Sequence, residues 1–445
     1  MLGEYPIHGR GAAEISASVE QAVADGRLAP GASLPPLRDL AERLGVNANT
    51  VAAAYRALRD RGVIETAGRR GSRVRARPAS APRDTRLTVP AGARDLSGGN
   101  PDPALLPRLG PALAAAAARA DRSPMLYGGP SIDPGLARAA RAAFDRDGVP
   151  DGPVAVTSGS LDCIERVLTA WLRPGDAVAV EDPGWGALLD LVPALGMRPV
   201  PVPVDDEGPL PDQAARALAG GARALVVTAR AQNPTGAAIG ARRAEALRAV
   251  LAAHPDTLLL EDDHGHGIVD LPLHPLAGHG PRWALVRSTA KAYGPDLRLA
   301  VWTGDPVTVD RVRGRQRLGP GWVSHLLQHA VTELWRTDAV DPGAVARSYG
   351  ARRDALRTAL AGRGVTAHGR SGMNVWVPVP DETAAVAALL HSGWAAAPGT
   401  RFRLRSGPGM RLTVSPLGER DIAPLADAVA AAVRPAATAS DRRYD

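Results

Sequence analysis

Leu285-Val286-Arg287-Ser288-Thr289-Ala290-Lys291-Ala292-Tyr293-Gly294-Pro295-Asp296-Leu297-Arg298 is the stretch on which the fold of this chain turns. It opens as a short apolar strand, Leu285–Ser288, and then turns through small polar residues. It holds Lys291, the one lysine among 53 basic residues; all the others are arginine. A guanidinium stays protonated and cannot act as an amine nucleophile, whereas a lysine can lose its proton and condense with a carbonyl. A composition biased toward arginine leaves two readings of the exception. Either one lysine survives by chance on the surface, or chemistry at this position requires an amine.

The 445 residues are 45% hydrophobic and 22% charged, which allows two or three domains with sizeable cores. A lone cysteine, Cys163, excludes a disulfide framework and any cysteine-based zinc finger. No basic segment leads into an apolar one at the start, so no secretory signal is expected. The nearest approach to a membrane span, Thr383–Thr400, is alanine-rich and broken by His391-Ser392-Gly393 and Pro398. The expectation is a soluble, cytoplasmic protein. Residues 1–83 carry 13 arginines against 8 acidic residues, a net of +5 out of the formal +7 of the whole chain. A basic head on a nearly neutral body points to nucleic acid for the head, with a merely solvated surface as the alternative.

The head supplies a fold to match that charge. Ala12–Asp25 has apolar residues at helical spacing (Ile15, Val19, Ala22, Val23) and stops at Gly26. Leu37–Leu44 follows Pro35-Pro36 and stops at Gly45. Asn49–Arg61 places Val51, Ala54, Tyr55 and Leu58 on one face. Val63–Thr66 and Arg73–Arg77 then flank an arginine-rich tip as a hairpin. The order predicts a winged helix-turn-helix over residues 1–77. Beyond it, Arg77–Arg94 is rich in Pro, Ala and Arg and predicts an extended linker over 78–95.

From Ser97 the pattern changes to alternating strand and helix, the signature of an α/β domain with a largely parallel sheet. Val154–Thr157, Ala177–Val180, Leu225–Thr228, Leu258–Leu260 and Leu285–Ser288 are short apolar strands. Helical stretches such as Leu161–Leu172 and Arg242–Ala253 lie between them. The domain spans 96–435, with a smaller lobe from about 341 that contains strands Met373–Val379 and Met410–Val414. A polar, disordered tail is expected over 436–445. Polar motifs fall at the strand ends. Ser158-Gly159-Ser160 sits at a strand-to-helix turn, where backbone N–H groups favour a phosphate. Asp182-Pro183-Gly184-Trp185, Gln232-Asn233-Pro234-Thr235-Gly236 and Glu261-Asp262-Asp263-His264 follow other strands, at the end where ligands bind in such sheets. Taken singly, each is equally an ordinary turn or a core residue. A metal reading of Asp262, Asp263, His264 and His266 lacks a distant third-ligand pattern, and no metal is expected.

Two resemblances bring these motifs together. Asp25-Gly26-Arg27-Leu28-Ala29-Pro30-Gly31, Leu34-Pro35-Pro36-Leu37-Arg38-Asp39-Leu40-Ala41, Leu44-Gly45-Val46, Asn49-Thr50-Val51 and Gly62-Val63-Ile64 resemble the GntR-family DNA-binding domain. That likeness implies contacts to double-stranded DNA from Arg38, Asn47, Asn49, Thr50, Arg70 and Gly71. It departs from the family at Ala48, where a basic residue is common, and at Pro36, where serine is common. The body, Ser97 to Arg434, resembles the fold-type I pyridoxal-phosphate enzymes of the aspartate aminotransferase class. The two together resemble the MocR subfamily of transcriptional regulators.

The second resemblance implies pyridoxal 5'-phosphate as cofactor, with an aldimine to Lys291. It also implies Asp262 on the pyridine nitrogen, Asn233 on the phenolic oxygen and Trp185 stacked on the ring. Ser158, Gly159, Ser160, Ser288 and Arg298 would hold the phosphate. Tyr127, in Tyr127-Gly128-Gly129-Pro130, would reach the neighbouring subunit of a homodimer, and Arg411 would bind the carboxylate of a small amino compound. His264 stands where the family has a tyrosine that donates to the phenolic oxygen. An imidazole can donate there too, but its ordinary pKa of about 6.5 would make the site respond to pH near neutrality. Ile132 replaces a glycine of the tyrosine motif, which alters the entrance loop.

Three functions follow. The first is a DNA-binding regulator that senses an amino compound, or pyridoxal phosphate itself, through Lys291. The second is an active aminotransferase with a vestigial head. The third is a binding protein that has lost its cofactor, which the retained Lys291 disfavours.

Overall fold

The computed structural model describes residues 7–29, 31–60, 62–66, 71–74 and 89–433. Arg70, most of the expected linker and the expected tail lie outside them. The chain forms two compact units. The head comprises α1 (Ala12–Ala24), α2 (Leu37–Leu44), α3 (Ala48–Asp60), β1 (Ile64–Thr66) and β2 (Ser72–Val74). Ile15, Val19, Leu40, Val51, Tyr55, Leu58 and Ile64 pack into one core, so the helical spacing of the sequence marks the buried faces. Gly45 closes α2 at φ 62°, a left-handed conformation that costs other residues about 1 kcal/mol. Asn47 Oδ1 then accepts the N–H of Asn49 at 2.8 Å. This cap starts α3 at Ala48, one residue before the expected Asn49. The wing pairs Ile64 with Val74 in antiparallel register. The Gly31 and Leu34 N–H groups bond to the Val74 and Ser72 carbonyls. That pairing draws Ser72 out of the expected hairpin tip and into β2.

The body is built on an eight-stranded sheet. Its strands are β3 (Val154–Thr157), β4 (Ala177–Asp182), β5 (Arg198–Asp205), β6 (Gly208–Pro209), β7 (Ala222–Thr228), β8 (Leu258–Asp262), β9 (Trp283–Ser288) and β10 (Ala300–Gly304), in the order β3-β10-β9-β8-β7-β4-β5-β6. β7, β8 and β9 are parallel, as the strand–helix alternation predicts. β10, which the pattern does not reveal, is antiparallel to both of its neighbours. The connection from β9 to β10 holds one four-residue helix and a turn, too short for the crossover a parallel strand needs. Several helices start in the same way. Asp133, Asp305 and Asp341 each accept an N–H from the first turn, and a proline follows at the first helical position.

The smaller lobe has a three-stranded sheet of Asn374–Pro378, Gly409–Thr413 and Ala397–Pro398. Arg94-Asp95, within the expected linker, instead pair as a parallel strand with Trp394-Ala395. The helix inside the apolar stretch Thr383–Thr400 is Glu382–His391. Among the described residues no helix is long and apolar enough to cross a membrane.

Under the ends of the parallel strands lies a buried ion network. Asp263 has no exposed surface. It accepts two hydrogen bonds from Arg230, at 2.9 and 2.8 Å, and one from Arg287 at 2.9 Å. Arg287 also pairs with Asp147 and lies over the Phe144 ring at 4.8 Å. Burial alone would raise the Asp263 carboxyl, but the two guanidiniums outweigh it and hold it at about 2. A carboxyl with a depressed folded pKa stabilises the fold above its ordinary pKa of about 3.9, and that contribution is lost as pH falls toward 2. Asp263→Asn leaves two buried guanidiniums without their shared anion and should cost about 3–5 kcal/mol. Urea unfolding at pH 7 and pH 3 checks this, with the deficit of the variant shrinking at the lower pH.

Candidate functional site: a cavity at the carboxyl ends of the parallel strands

The cavity is built from strand ends. β8 delivers Asp262, β9 delivers Ser288 and the turn to Lys291, and β3 leads into Ser158-Gly159-Ser160 and the helix Ser160–Trp171. A space of about 280 Å³ opens between them. Of the residues expected to touch a cofactor, Gly159, Ser160, Trp185, Asn233, Asp262, His264, Ser288, Lys291 and Arg298 line it.

The local backbone explains several of these positions. Gly159 sits at φ +100°, and a Cβ there would stand 3.1 Å from Arg298 Nη2. The glycine therefore lets the guanidinium close on the helix N-terminus. Arg298 is itself left-handed, at φ 43°, and donates to the Ser158 carbonyl at 2.9 Å. Ser158 itself does not line the cavity. Ala290 N–H bonds to Ser288 Oγ at 3.1 Å, which shapes the turn that carries Lys291. Lys291 Nζ donates to the Gly99 carbonyl at 2.6 Å. Burial, helped by Arg411 and opposed by Asp262, brings its pKa down to about 8.

Three more of the expected residues stand as follows. Tyr127 does not reach the cavity of its own chain. It is 94% exposed, edge-on to Trp322 at 5.6 Å, in a separate hollow with Arg313 and Arg317. Arg411 does not line the cavity either. It donates to Asn233 Oδ1 at 3.0 Å and to the Ser97 carbonyl, and it lies over Phe402 at 4.8 Å. His264 is not open to donate into the cavity as the tyrosine analogy implies, because both ring nitrogens are engaged. Nδ1 meets Asp262 Oδ2 at 3.0 Å, and Nε2 meets the Ala231 carbonyl at 2.7 Å.

Sequence reasoning misses the supports. Asp182 accepts from the N–H groups of Leu404, Arg405 and Ser406 and from Ser406 Oγ. It ties the segment before Trp185 to the loop before Gly409–Thr413. Glu181, raised to about 7 mainly by burial, accepts from Thr228 and Gln232. Their partners lie dozens to hundreds of residues away, and no local pattern marks them.

The donor set can hold a phosphorylated pyridine aldehyde. Asp262 Oδ1 and Ser160 Oγ are buried without a hydrogen-bond partner, a state that costs free energy unless a ligand supplies one. Arg298 and the helix N-terminus at Ser160 suit a phosphate, and Lys291 offers an amine with a depressed pKa.

In the head, Arg38 and Asn49 are exposed, Thr50 is half-buried, and Gly71 sits exposed at φ 79°. Asn47 is exposed, but its side-chain oxygen is committed to the α3 cap. Arg56, seven residues beyond Asn49 and therefore on the same helical face, is also exposed. The sequence reading does not include it.

A DNA-binding head followed by an aminotransferase-like body defines the class. Residues 12–74 match the model of the bacterial regulatory proteins of the gntR family, and residues 94–429 match aminotransferase class I and II, a fold that typically binds pyridoxal phosphate. The vitamin B6 salvage pathway transcriptional repressor PtsJ of Salmonella typhimurium is 40% identical over 94% of this chain and 98% of its own length. The pyridoxine biosynthesis regulator PdxR of Corynebacterium glutamicum is 31% identical over 62% of each chain. Aspartate aminotransferase from Thermus thermophilus superimposes with a TM-score of 0.67 at 25% identity, covering 77% of this chain and 92% of that one. The chain belongs to the MocR-type transcriptional regulators, GntR heads joined to an aminotransferase class I and II domain.

The depressed pKa of Lys291 has a direct consequence. Trinitrobenzenesulfonate should modify it with a midpoint near pH 8, rather than the usual value of about 10.4. In Asp262→Asn, which removes a charge favouring the ammonium, the midpoint should move lower. Mass spectrometry of the Lys291 peptide reads both, and a wild-type midpoint near 10 would contradict the placement.

Proposed function

We propose that this regulator senses pyridoxal 5'-phosphate, held in the cavity by Lys291, and couples its occupancy to DNA binding by the head. The observation that carries the reading is the single lysine of the chain set in one cavity with Asp262 and Arg298. The vitamin B6 salvage and pyridoxine functions in the names of PtsJ and PdxR support it. When bound, pyridoxal phosphate supplies an aldehyde for condensation with an amine and a ring that withdraws electrons.

The residues of the chain do the rest. Arg298, Ser160 and the adjacent backbone would bind the phosphate, Asp262 Oδ1 would accept a hydrogen bond from a protonated ring nitrogen, and Trp185 would offer a flat apolar face. Lys291 presents its amine, which loses its proton more readily than an exposed lysine does. Arg411 engages Asn233 and the Ser97 carbonyl, which favours pyridoxal phosphate itself as the signal over a carboxylate-bearing amino compound. Exposed Leu126, Tyr127 and Leu318 suit a homodimer, whose paired heads would address repeated half-sites.

An active aminotransferase is the second reading, favoured by the retained Lys291, Asp262 and Asn233. Coupling requires the ligand to bind two conformations with different affinity. With an operator selected from random duplex DNA, pyridoxal phosphate should change the affinity of the full chain about tenfold, within the usual span of such couplings. Lys291→Ala should remove the change. Binding of pyridoxal phosphate without any effect on DNA affinity would contradict the sensor. Turnover of an amino donor with a 2-oxo acid, with DNA affinity unmoved, would establish the second reading.

A further inference from the structure

His264 contacts two groups that only accept hydrogen bonds in their usual states. The carboxylate Oδ2 of Asp262 lies 3.0 Å from Nδ1, and the Ala231 carbonyl lies 2.7 Å from Nε2. A neutral imidazole carries one N–H and can serve one acceptor. Serving both takes a second proton, shared between His264 and Asp262. An imidazolium, which donates from both nitrogens, serves both acceptors.

The arrangement is built into the backbone. Ala231 is left-handed, at φ 56°, a strained conformation for a residue with a Cβ. Its N–H is held by Ser371 Oγ at 2.9 Å. A Cβ on Gly372 would stand 2.5 Å from the Ala231 Cβ, so a glycine is needed there for the carbonyl to face His264. The same clamp leaves Asp262 Oδ1 buried and without a partner.

We propose that His264 is a positioning residue that works as an imidazolium. One N–H fixes Asp262 and the other anchors to Ala231, so that the grip of the cavity on a pyridine-bearing ligand weakens when the ring loses its second proton. The proposal rests on the pyridoxal-phosphate reading above for its ligand, but not for the protonation state. The charged groups that bear on the ring are Asp262 from β8, Lys291 from the turn after β9 and Glu181 from β4. Arg411 acts on Lys291. Asp263, next in sequence, is committed to Arg230 and Arg287. Burial alone would lower the imidazole, but Asp262 outweighs it and holds the ring above its ordinary value.

Two measurements on the full chain test this. The first is ¹⁵N NMR of the imidazole nitrogens without ligand, with the His264 signals assigned by their loss in His264→Asn or His264→Gln. Both nitrogens should be protonated at pH 7; a neutral tautomer there overturns the proposal. The second uses pyridoxamine 5'-phosphate, an amine that cannot condense with Lys291, in equilibrium dialysis. The wild type should bind it about tenfold more tightly than His264→Asn at pH 6.5, the worth of one charge-assisted hydrogen bond. The ligand's own titrations cancel in that ratio, which should fall toward unity by pH 9. A ratio independent of pH overturns the proposal and leaves the sensor reading intact. No binding by the wild type at any pH overturns the ligand half of this proposal and leaves the sensor reading, which rests on condensation with Lys291, intact, while the NMR result still decides the charge of His264.

Discussion

Two adjacent carboxylates at the end of β8 set the terms for the rest of the body. Consecutive residues of an extended strand point to opposite faces, so Asp262 and Asp263 are sent into different surroundings. Asp263 goes under the sheet, where Arg230 beyond β7 and Arg287 of β9 neutralise it. A buried charge without such partners would cost several kcal/mol. With them, it joins the exits of three neighbouring strands at one point. Asp262 goes the other way, into the cavity, with one oxygen on His264 and the other without a partner.

That division places the remaining parts. The exit of β7 runs through Arg230 to Ala231, whose carbonyl meets His264, and on to Asn233 at the cavity wall. The exit of β9 runs from Arg287 to Ser288 and Lys291. A shift of β8 by one residue would set either His264 against the guanidiniums or Glu261 at the cavity wall, so one of the two sites would lose its aspartate. The ligand side is therefore rigid because the opposite side is neutralised. The loops reached from the smaller lobe, through Asp182 and through Arg411, attach to this frame.

Much of this is legible in the residues. A lone lysine among arginines marks the amine, and polar motifs after short apolar strands mark the cavity wall, because parallel strands deliver their carboxyl ends to one edge. The helical faces of the head follow from the spacing of Val51, Tyr55 and Leu58. What is not legible depends on contacts far apart in sequence. The Ala231 carbonyl that meets His264 and the Ser97 carbonyl that meets Arg411 lie 33 and 314 residues away. No periodicity carries that information. β10 escapes because a short connection, not an apolar pattern, fixes its antiparallel direction. Tyr127 is readable only as an exposed aromatic, since a single chain shows no second copy.

The most direct measurement is borohydride reduction of the full chain with pyridoxal phosphate, followed by peptide mapping. Reduction makes permanent any link between the ligand's aldehyde carbon and a protein amine. A pyridoxyl group on Lys291, lost in the Lys291→Ala variant, is the expected result. Label confined to the N-terminal amine, or no label at all, would contradict the assignment of this cavity as a pyridoxal-phosphate site.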